Sequence, residues 1–407
     1  MSMTSRIAVY STVGRAAATG ALLAATLALA TGCTDDPVPA ASSCASLLPQ
    51  CLSVQMTCAE SNGSAQCRPC AGGEYADNEG VCQPLAGTPL THEFTAFDIK
   101  AGEEIKGLCQ SWTLGNSEEI WVNSVEFSQD ERSHHSIWTF VPEQLFAGPD
   151  GVWTCKDRNY NELVGTTAGG VLFAQSTQSV HEVQRFPEGS AVRIPPYSKI
   201  VGDIHLLNTT TEDVVGGSAT MTMYTITRPE VKVPLVPFEM AYRGLAIPPF
   251  ARSRFSASCE LEALFKNTAD SPFDLKIHYI LPHTHGYATR LYMQVYGGPS
   301  DGASIIDVHG YAEEGRGRFY DTPIDLTGAK GITFGCEYDN QTDQTLGWAY
   351  EQEMCQLLGF AESKVAFLSA VWESSAAGND GMQEFTGPCE HQAIAWDFDK
   401  PGGMPGE

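Results

Sequence analysis

Short runs rich in Val, Ile, Phe, Tyr and Thr recur along this chain from about Pro89, broken by Gly, Pro, Asn and Asp. WVNSVEFS, HHSIWTFV, GVLFAQS, SAVRIP, IVGDIHLLN and ATMTMYTITR form a first series. RSRFSASCEL, FDLKIHYIL, TRLYMQVYG, GITFGCEY and QLLGFAES form a second, after a Pro-rich bend near Val231 to Pro237. Branched and aromatic side chains suit a pleated, half-buried surface, and breakers at this spacing leave room for strands and little else. Long segments of helical period are nearly absent. The pattern predicts an all-β chain of two tandem antiparallel β-sandwich (jelly-roll-like) domains, 86–229 and 230–375. A small disulfide-rich module, 44–85, precedes them. The tail, 376–407, is rich in Gly and Glu, with Cys389, Ile394 and Trp396 as the residues able to pin it.

The first residues speak for export. Arg6 and Arg15 precede an apolar run from about Ala16 to Ala30, too short and too small in side chain for a membrane span. It reads as a secretory signal peptide, 1–33. Its end, Ala30-Thr31-Gly32-Cys33, resembles the lipobox of bacterial lipoproteins, with Leu29 one place from the usual position. That resemblance implies a lipid anchor on Cys33 and an outer-membrane or cell-surface location. The other reading is cleavage at an Ala-x-Ala-like site, with Cys33 left free. The Pro/Ala/Ser segment 34–43 is a tether. Cysteine arithmetic agrees with export: of 13 cysteines, setting Cys33 aside leaves an even number. Six of these (Cys44, Cys51, Cys58, Cys67, Cys70, Cys82) crowd into a module with few large apolar groups, which needs covalent staples. Cys67-Arg68-Pro69-Cys70 has the spacing of a zinc or redox motif, but in this company a disulfide knot is expected. With 24 Lys plus Arg against 49 Asp plus Glu, a net charge of −25, the surface repels phosphate backbones and nucleic acid is excluded as a partner.

The chemistry sits in the histidines. His283-Thr284-His285 follows the apolar run Tyr279-Ile280-Leu281. On a strand, residues i and i+2 share a face, so this spacing aims two imidazoles at one point. His134-His135 are adjacent, and one metal can take both only where the strand is irregular or different ring nitrogens are used. His205 ends a strand. Met354 stands beside Cys355 in the polar stretch EQEMCQ, an unusual place for core packing. His181, His278, His309 and His391 match no ligand pattern and read as surface or hydrogen-bonded structure. Asn62, Asn208 and Asn340 stand in glycosylation-like triplets.

Taken together, residues 95–375 resemble the copper type II, ascorbate-dependent monooxygenases, the family of peptidylglycine α-hydroxylating and dopamine β-monooxygenases. His134-His135 resembles the family's His-His pair. Arg185-Phe186-Pro187-Glu188-Gly189 and the strand ending at His205 resemble the segment that brings a third His to the same copper. Ile247-Pro248-Pro249 with Ser258-Cys259 resembles the entry to the second domain. His283, His285 and Met354 resemble the second copper's ligands. The resemblance implies two coppers per chain, a Cys336–Cys355 disulfide beside Met354, and ascorbate or another reductant as co-substrate. It also implies O2 activation at His283/His285/Met354, with the second electron supplied from His134/His135/His205. The residue types suit this. Three imidazoles serve both copper oxidation states, and a thioether favours soft Cu(I) over zinc. Of the remaining cysteines, Cys109 and Cys155 are expected to pair in the first sandwich, leaving Cys259 with Cys389.

Peptide-amidating members of that family hold the peptide carboxylate with an Arg two residues before the first His, and with an Asn and a Tyr after the Met-Cys pair. Here those positions are Leu281, Gln356 and Leu358, and no lyase-like domain follows. A carboxylate needs a charged partner to offset its desolvation. The expected activity is therefore hydroxylation of a C–H bond in a small, neutral or aromatic molecule. Arg290 is the basic residue nearest in sequence that could change this. Two rival readings are a copper-binding or electron-transfer protein without hydroxylase activity, and an adhesion protein working through its cysteine-rich module.

Overall fold

The computed structural model describes residues 43–398, apart from positions 54, 62–63, 131, 176–178, 311–316, 350–351, 380 and 397. The signal segment, Cys33 and all of the tether but Ser43 lie outside the described residues. So does Asn62.

The chain is all-β, and three sheets carry the body. A five-stranded sheet runs in the order Gly151–Thr154, Glu104–Thr113, Ser198–Leu207, Ser133–Pro142, Gly170–Gln175. A six-stranded sheet runs Ser304–His309, Ala288–Tyr296, Gly331–Asn340, Ala251–Glu260, Gln383–Thr386, Ser375–Asn379. An eleven-stranded sheet belongs to both halves of the sequence and shares a core with each of the other two. Its seam is the parallel pairing of Ser190–Ile194 with Val233–Tyr242, where Ser190 faces Val233 and Val192 faces Leu235. Most pairings are antiparallel. Parallel ones also join Val233–Tyr242 to Val365–Val371 and Ala251–Glu260 to Gln383–Thr386.

Burial follows from where each strand sits. Ala251–Glu260 alternates buried and accessible positions over most of its length, as a strand with one face on the core must. Val365–Val371 is buried throughout, with a paired strand on each edge. One core gathers Phe127, Trp138, Phe140, Phe173 and Met221, the other Tyr242, Phe255, Phe265, Met293 and Phe334. Gly202 faces Trp138 across the sheet, and a Cβ there would meet the indole at 2.4 Å. Only glycine lets this strand, which carries His205, lie so close to the ring.

The segment read as a tail is woven into both large sheets. Ser375–Asn379, Gln383–Thr386 and Glu390–Ala395 are strands, and Trp396 is in the first core. Few of these residues are β-branched, and a pattern of propensity alone passes over them.

Six disulfides fit an oxidising compartment. Cys44–Cys58, Cys51–Cys67 and Cys70–Cys82 staple the small module, so Cys67 and Cys70 point to different partners and form neither a zinc nor a redox pair. Cys109–Cys155, Cys259–Cys389 and Cys336–Cys355 staple the body, in the pairings expected from the sequence. The module is docked on the body. Gln55 accepts a hydrogen bond from the Val183 amide, Glu126 accepts from the Gly73 amide, and the Arg185 guanidinium lies 4.2 Å from the Tyr75 ring. Among the described residues, no helix is long and apolar enough to cross a membrane.

Candidate metal centre

His134 and His135 lie on Ser133–Pro142, beside Ser198–Leu207. His205 faces His135, but the next residue, Leu206, faces Ser133. His134 is thus the extra residue of a β-bulge, which re-aims a side chain that a regular strand would send to the far face. That irregularity lets neighbouring histidines converge. Ring centroids of His134, His135 and His205 lie 4.8–5.1 Å apart.

The second pair is built differently. His283 is the last residue of Lys276–His283, but His285 lies beyond the strand, in the turn that follows. Strand alternation therefore does not bring the two rings together, as the spacing alone suggests. Glu353 does. It is fully buried, and its carboxylate accepts hydrogen bonds from the amides of His285 (3.0 Å) and Tyr287 (2.6 Å). The turn is folded back so that the His283 and His285 rings lie 5.1 Å apart. Met354 follows Glu353 directly. Its backbone carbonyl accepts from the Tyr338 hydroxyl, and the disulfide of Cys355 to Cys336 fixes the next residue. His135, His205, His283 and Met354 line one pocket, with Ile137, Ala174, Leu281 and Leu358 as apolar wall and Glu162, Asp203 and Gln356 as polar wall.

The ring nitrogens fit a metal. Glu104 contacts His205 Nε2 at 2.8 Å. Burial opposes its ionisation, but hydrogen bonds from Lys106 and His205 hold its carboxyl below the usual range. A carboxylate only accepts, so Nε2 carries the proton and Nδ1 presents a lone pair toward His135, 3.0 Å away. The Gln352 carbonyl likewise takes the proton of His285 Nδ1 at 3.2 Å and leaves Nε2 as the free acceptor. Metal-bound histidines are held in this way, with the non-ligating N–H on a carboxylate or carbonyl. His285 Nε2 and His134 Nδ1 are both buried with no hydrogen-bond partner. An orphaned buried acceptor costs roughly 1–3 kcal/mol, which a bound cation would offset. Burial, with His205 and His285 nearby, holds His134 down at about 4, and burial with the adjoining imidazoles holds His135 well below its ordinary value. His285 is lowered, chiefly by burial. Protons therefore do not compete for these lone pairs at neutral pH. Imidazoles with one thioether are donors that fit copper better than zinc.

No protein-family model matches the chain, and no curated protein matches it. Among solved structures it is similar to the STIV MCP, at 11% identity over 68% of this chain and 96% of that one, with a TM-score of 0.28. It is also similar to the major capsid protein P2 from Bacteriophage PM2, at 7% identity over 67% of this chain and 97% of that one, with a TM-score of 0.28. Likeness at that level carries no argument about function, which rests on the residues of the site.

Three carboxylates around this centre carry no signal in the sequence. Glu104, Glu353 and Glu162 are scattered among 49 acidic residues, and only the fold shows which of them touch the histidines or the pocket. Glu162 opens a short helix, Glu162–Ala168, and accepts from the Gln356 side chain at 2.7 Å. The same amide group donates to Glu239 at 3.1 Å. Burial and the Glu162 charge push the Glu239 carboxyl up, against the pull of Arg243.

Arg290 does not reach the pocket. It is spent on Asp307, at 2.7 Å through two nitrogens, and on Glu337. Among the described residues no Lys or Arg lines the pocket, and Lys106, near the histidines, is paired with Glu104 at 2.9 Å. Of the other histidines, His181 bonds Glu126, His391 bonds Ser369, and His309 lies 3.3 Å from Asp307. His278 departs from expectation. It is the extra residue of a bulge in Lys276–His283, and it is buried with neither ring nitrogen hydrogen-bonded. Asn208 and Asn340 are fully buried, each donating to backbone carbonyls. Those two triplets are turn structure, closed to glycosylation.

Proposed function

We propose that this protein is a copper-dependent monooxygenase, similar to the ascorbate-dependent type II family, that hydroxylates a C–H bond of a small neutral or aromatic molecule. The observation that carries the proposal is that His135, His205, His283 and Met354 line one pocket, with the rings of His134 and His285 packed against those histidines and each keeping a buried nitrogen for a ligand. Copper bound by these residues supplies one-electron redox chemistry and the activation of O2, with ascorbate or a similar reductant as electron source.

The chain's own part is to hold and to exclude. Glu104 and the Gln352 carbonyl fix the tautomers of His205 and His285. Glu353 and the Cys336–Cys355 bond hold the second set in place. Leu281 and Leu358 present apolar surface to the substrate and keep water from the reacting bond. Glu162 and Asp203 turn away an anionic substrate, and with no Lys or Arg among the described pocket residues to receive a carboxylate, glycine-extended peptides are poor substrates. A lipid anchor on Cys33 would hold the enzyme at the cell surface, with the acidic body facing the medium.

The test is direct. Copper-loaded protein with ascorbate should consume O2 in a substrate-dependent way and form a product heavier by one oxygen atom, for one or more members of a panel of small aromatics. Ascorbate oxidation with no substrate-dependent uptake across that panel would leave a copper-binding or electron-transfer protein instead. Turnover of a glycine-extended peptide at a rate matching the best aromatic would overturn the substrate assignment.

A further inference from the structure

The sequence places the ligands in two sets, one in each half of the body. The fold does not keep the sets apart. The His135 ring lies 4.8 Å from His205 in its own set, and 5.4 Å and 6.2 Å from His283 and His285 in the other. The rings within the second pair are 5.1 Å apart, so the gap between the sets is little wider than the spacing inside them.

Two features hold this gap closed. The eleven-stranded sheet is continuous through both halves, joined at the Ser190–Ile194 seam. Across the pocket, the Gln356 side chain, beside His283 in the sheet, donates to Glu162 of the first half at 2.7 Å. A part-buried hydrogen bond between residues 194 apart in sequence is a clamp on the distance between the ligand sets.

We propose that the five imidazoles and Met354 form one continuous cluster that binds two copper ions as an interacting pair, with His135 at the boundary between them. This rests on the copper reading given above and goes beyond it: two isolated sites would serve that reading equally well. Paired ions carry their own electrostatic difficulty, since like charges repel strongly in a buried site. Glu104, on His205 Nε2, places a carboxylate behind the first set, where it offsets that repulsion.

Electron paramagnetic resonance of the full chain, loaded with Cu(II) and assayed for metal content, tests the pairing without reference to turnover. The expected result is two coppers per chain, with an integrated spin count below two and a half-field transition. Two full spins per chain with independent spectra and no half-field line would overturn the pair, while leaving the proposed function standing. Fewer than two coppers bound would overturn both. Variants locate the boundary. His134→Ala should lower occupancy of one ion and leave the other filled. His135→Ala should weaken both, with native far-ultraviolet circular dichroism retained. A His135→Ala protein that loses one copper and leaves the second ion's affinity unchanged would remove His135 from the boundary.

Discussion

The two sets of candidate ligands are brought together by different means. The first is built by sheet register. His135 and His205 face each other in a paired ladder, a bulge turns His134 toward them, and a single side chain, Glu104, orients the result. The second is built by clamps. Only His283 is on a strand, while His285 hangs from a turn whose amides are gathered by Glu353, and Met354 is placed by a disulfide and the Tyr338 hydroxyl. A register is shared among many ladder bonds and resists any one change. A clamp fails when its one residue fails. The second set should therefore be the fragile one.

The largest difference should come from the disulfide. Closing the short loop between Cys336 and Cys355 is worth about 3 kcal/mol. Replacing both by Ala should lower stability by about that amount in denaturant unfolding. It should also empty the His283/His285/Met354 set while the first still binds copper. Equal loss from both sets would mean that register and clamp do not differ in this way.

Glu353→Gln keeps an acceptor for one amide and gives up the other. Copper affinity of the second set should drop by about 10- to 100-fold, read by competition with a Cu(I) chelator. Glu104→Gln tests the first set by the same titration. There the loss should be nearer tenfold, because the ladder still holds His205 opposite His135. A larger loss from Glu104→Gln than from Glu353→Gln would reverse the ranking.

The smallest effect concerns the bridge between the sets. Burial raises the Glu239 carboxyl to about 7, against roughly 4.3 in an unfolded chain. Below about pH 4 both states hold the proton. As pH rises toward 7 the unfolded chain releases it first, so stability is lost over that window and the loss is complete once the folded carboxyl ionises. The metal-free protein should lose on the order of 1–2 kcal/mol between pH 5 and 8 from this group, less than the full shift because Arg243 stays close. Glu239→Gln should make the profile shallower and leave the part due to Glu353, whose carboxyl burial also pushes up to about 7. An unchanged slope would show that Arg243 neutralises Glu239 in full.

What the sequence makes legible is whatever depends on local pattern. The runs around Ile120–Gln129, Ser133–Pro142 and Ala219–Ile226 are strands, and their alternation and branched residues say so. Histidine spacing marks the ring-bearing positions. Properties that belong to a partner strand are not legible. The bulge at His134 exists only against Ser198–Leu207, and the turn at His285 only against Glu353. The small, polar strand Ser375–Asn379 is a strand because a neighbour offers it an edge. The same limit hides the seam between the halves, since parallel pairing across the Pro-rich bend leaves no trace in either segment alone.

That seam also decides how the molecule behaves when it is cut. The turn Arg228–Glu230, between the two sequence halves, is exposed, and among the described residues no disulfide joins one half of the body to the other. A protease nicking there would sever the only covalent link between the halves. The fragments would still share a ladder at Ser190–Val192, an apolar contact of Phe186 with Phe360, and the Glu162–Gln356 bond. A nicked sample should run as two bands in denaturing gel and elute as one particle in native buffer, copper included.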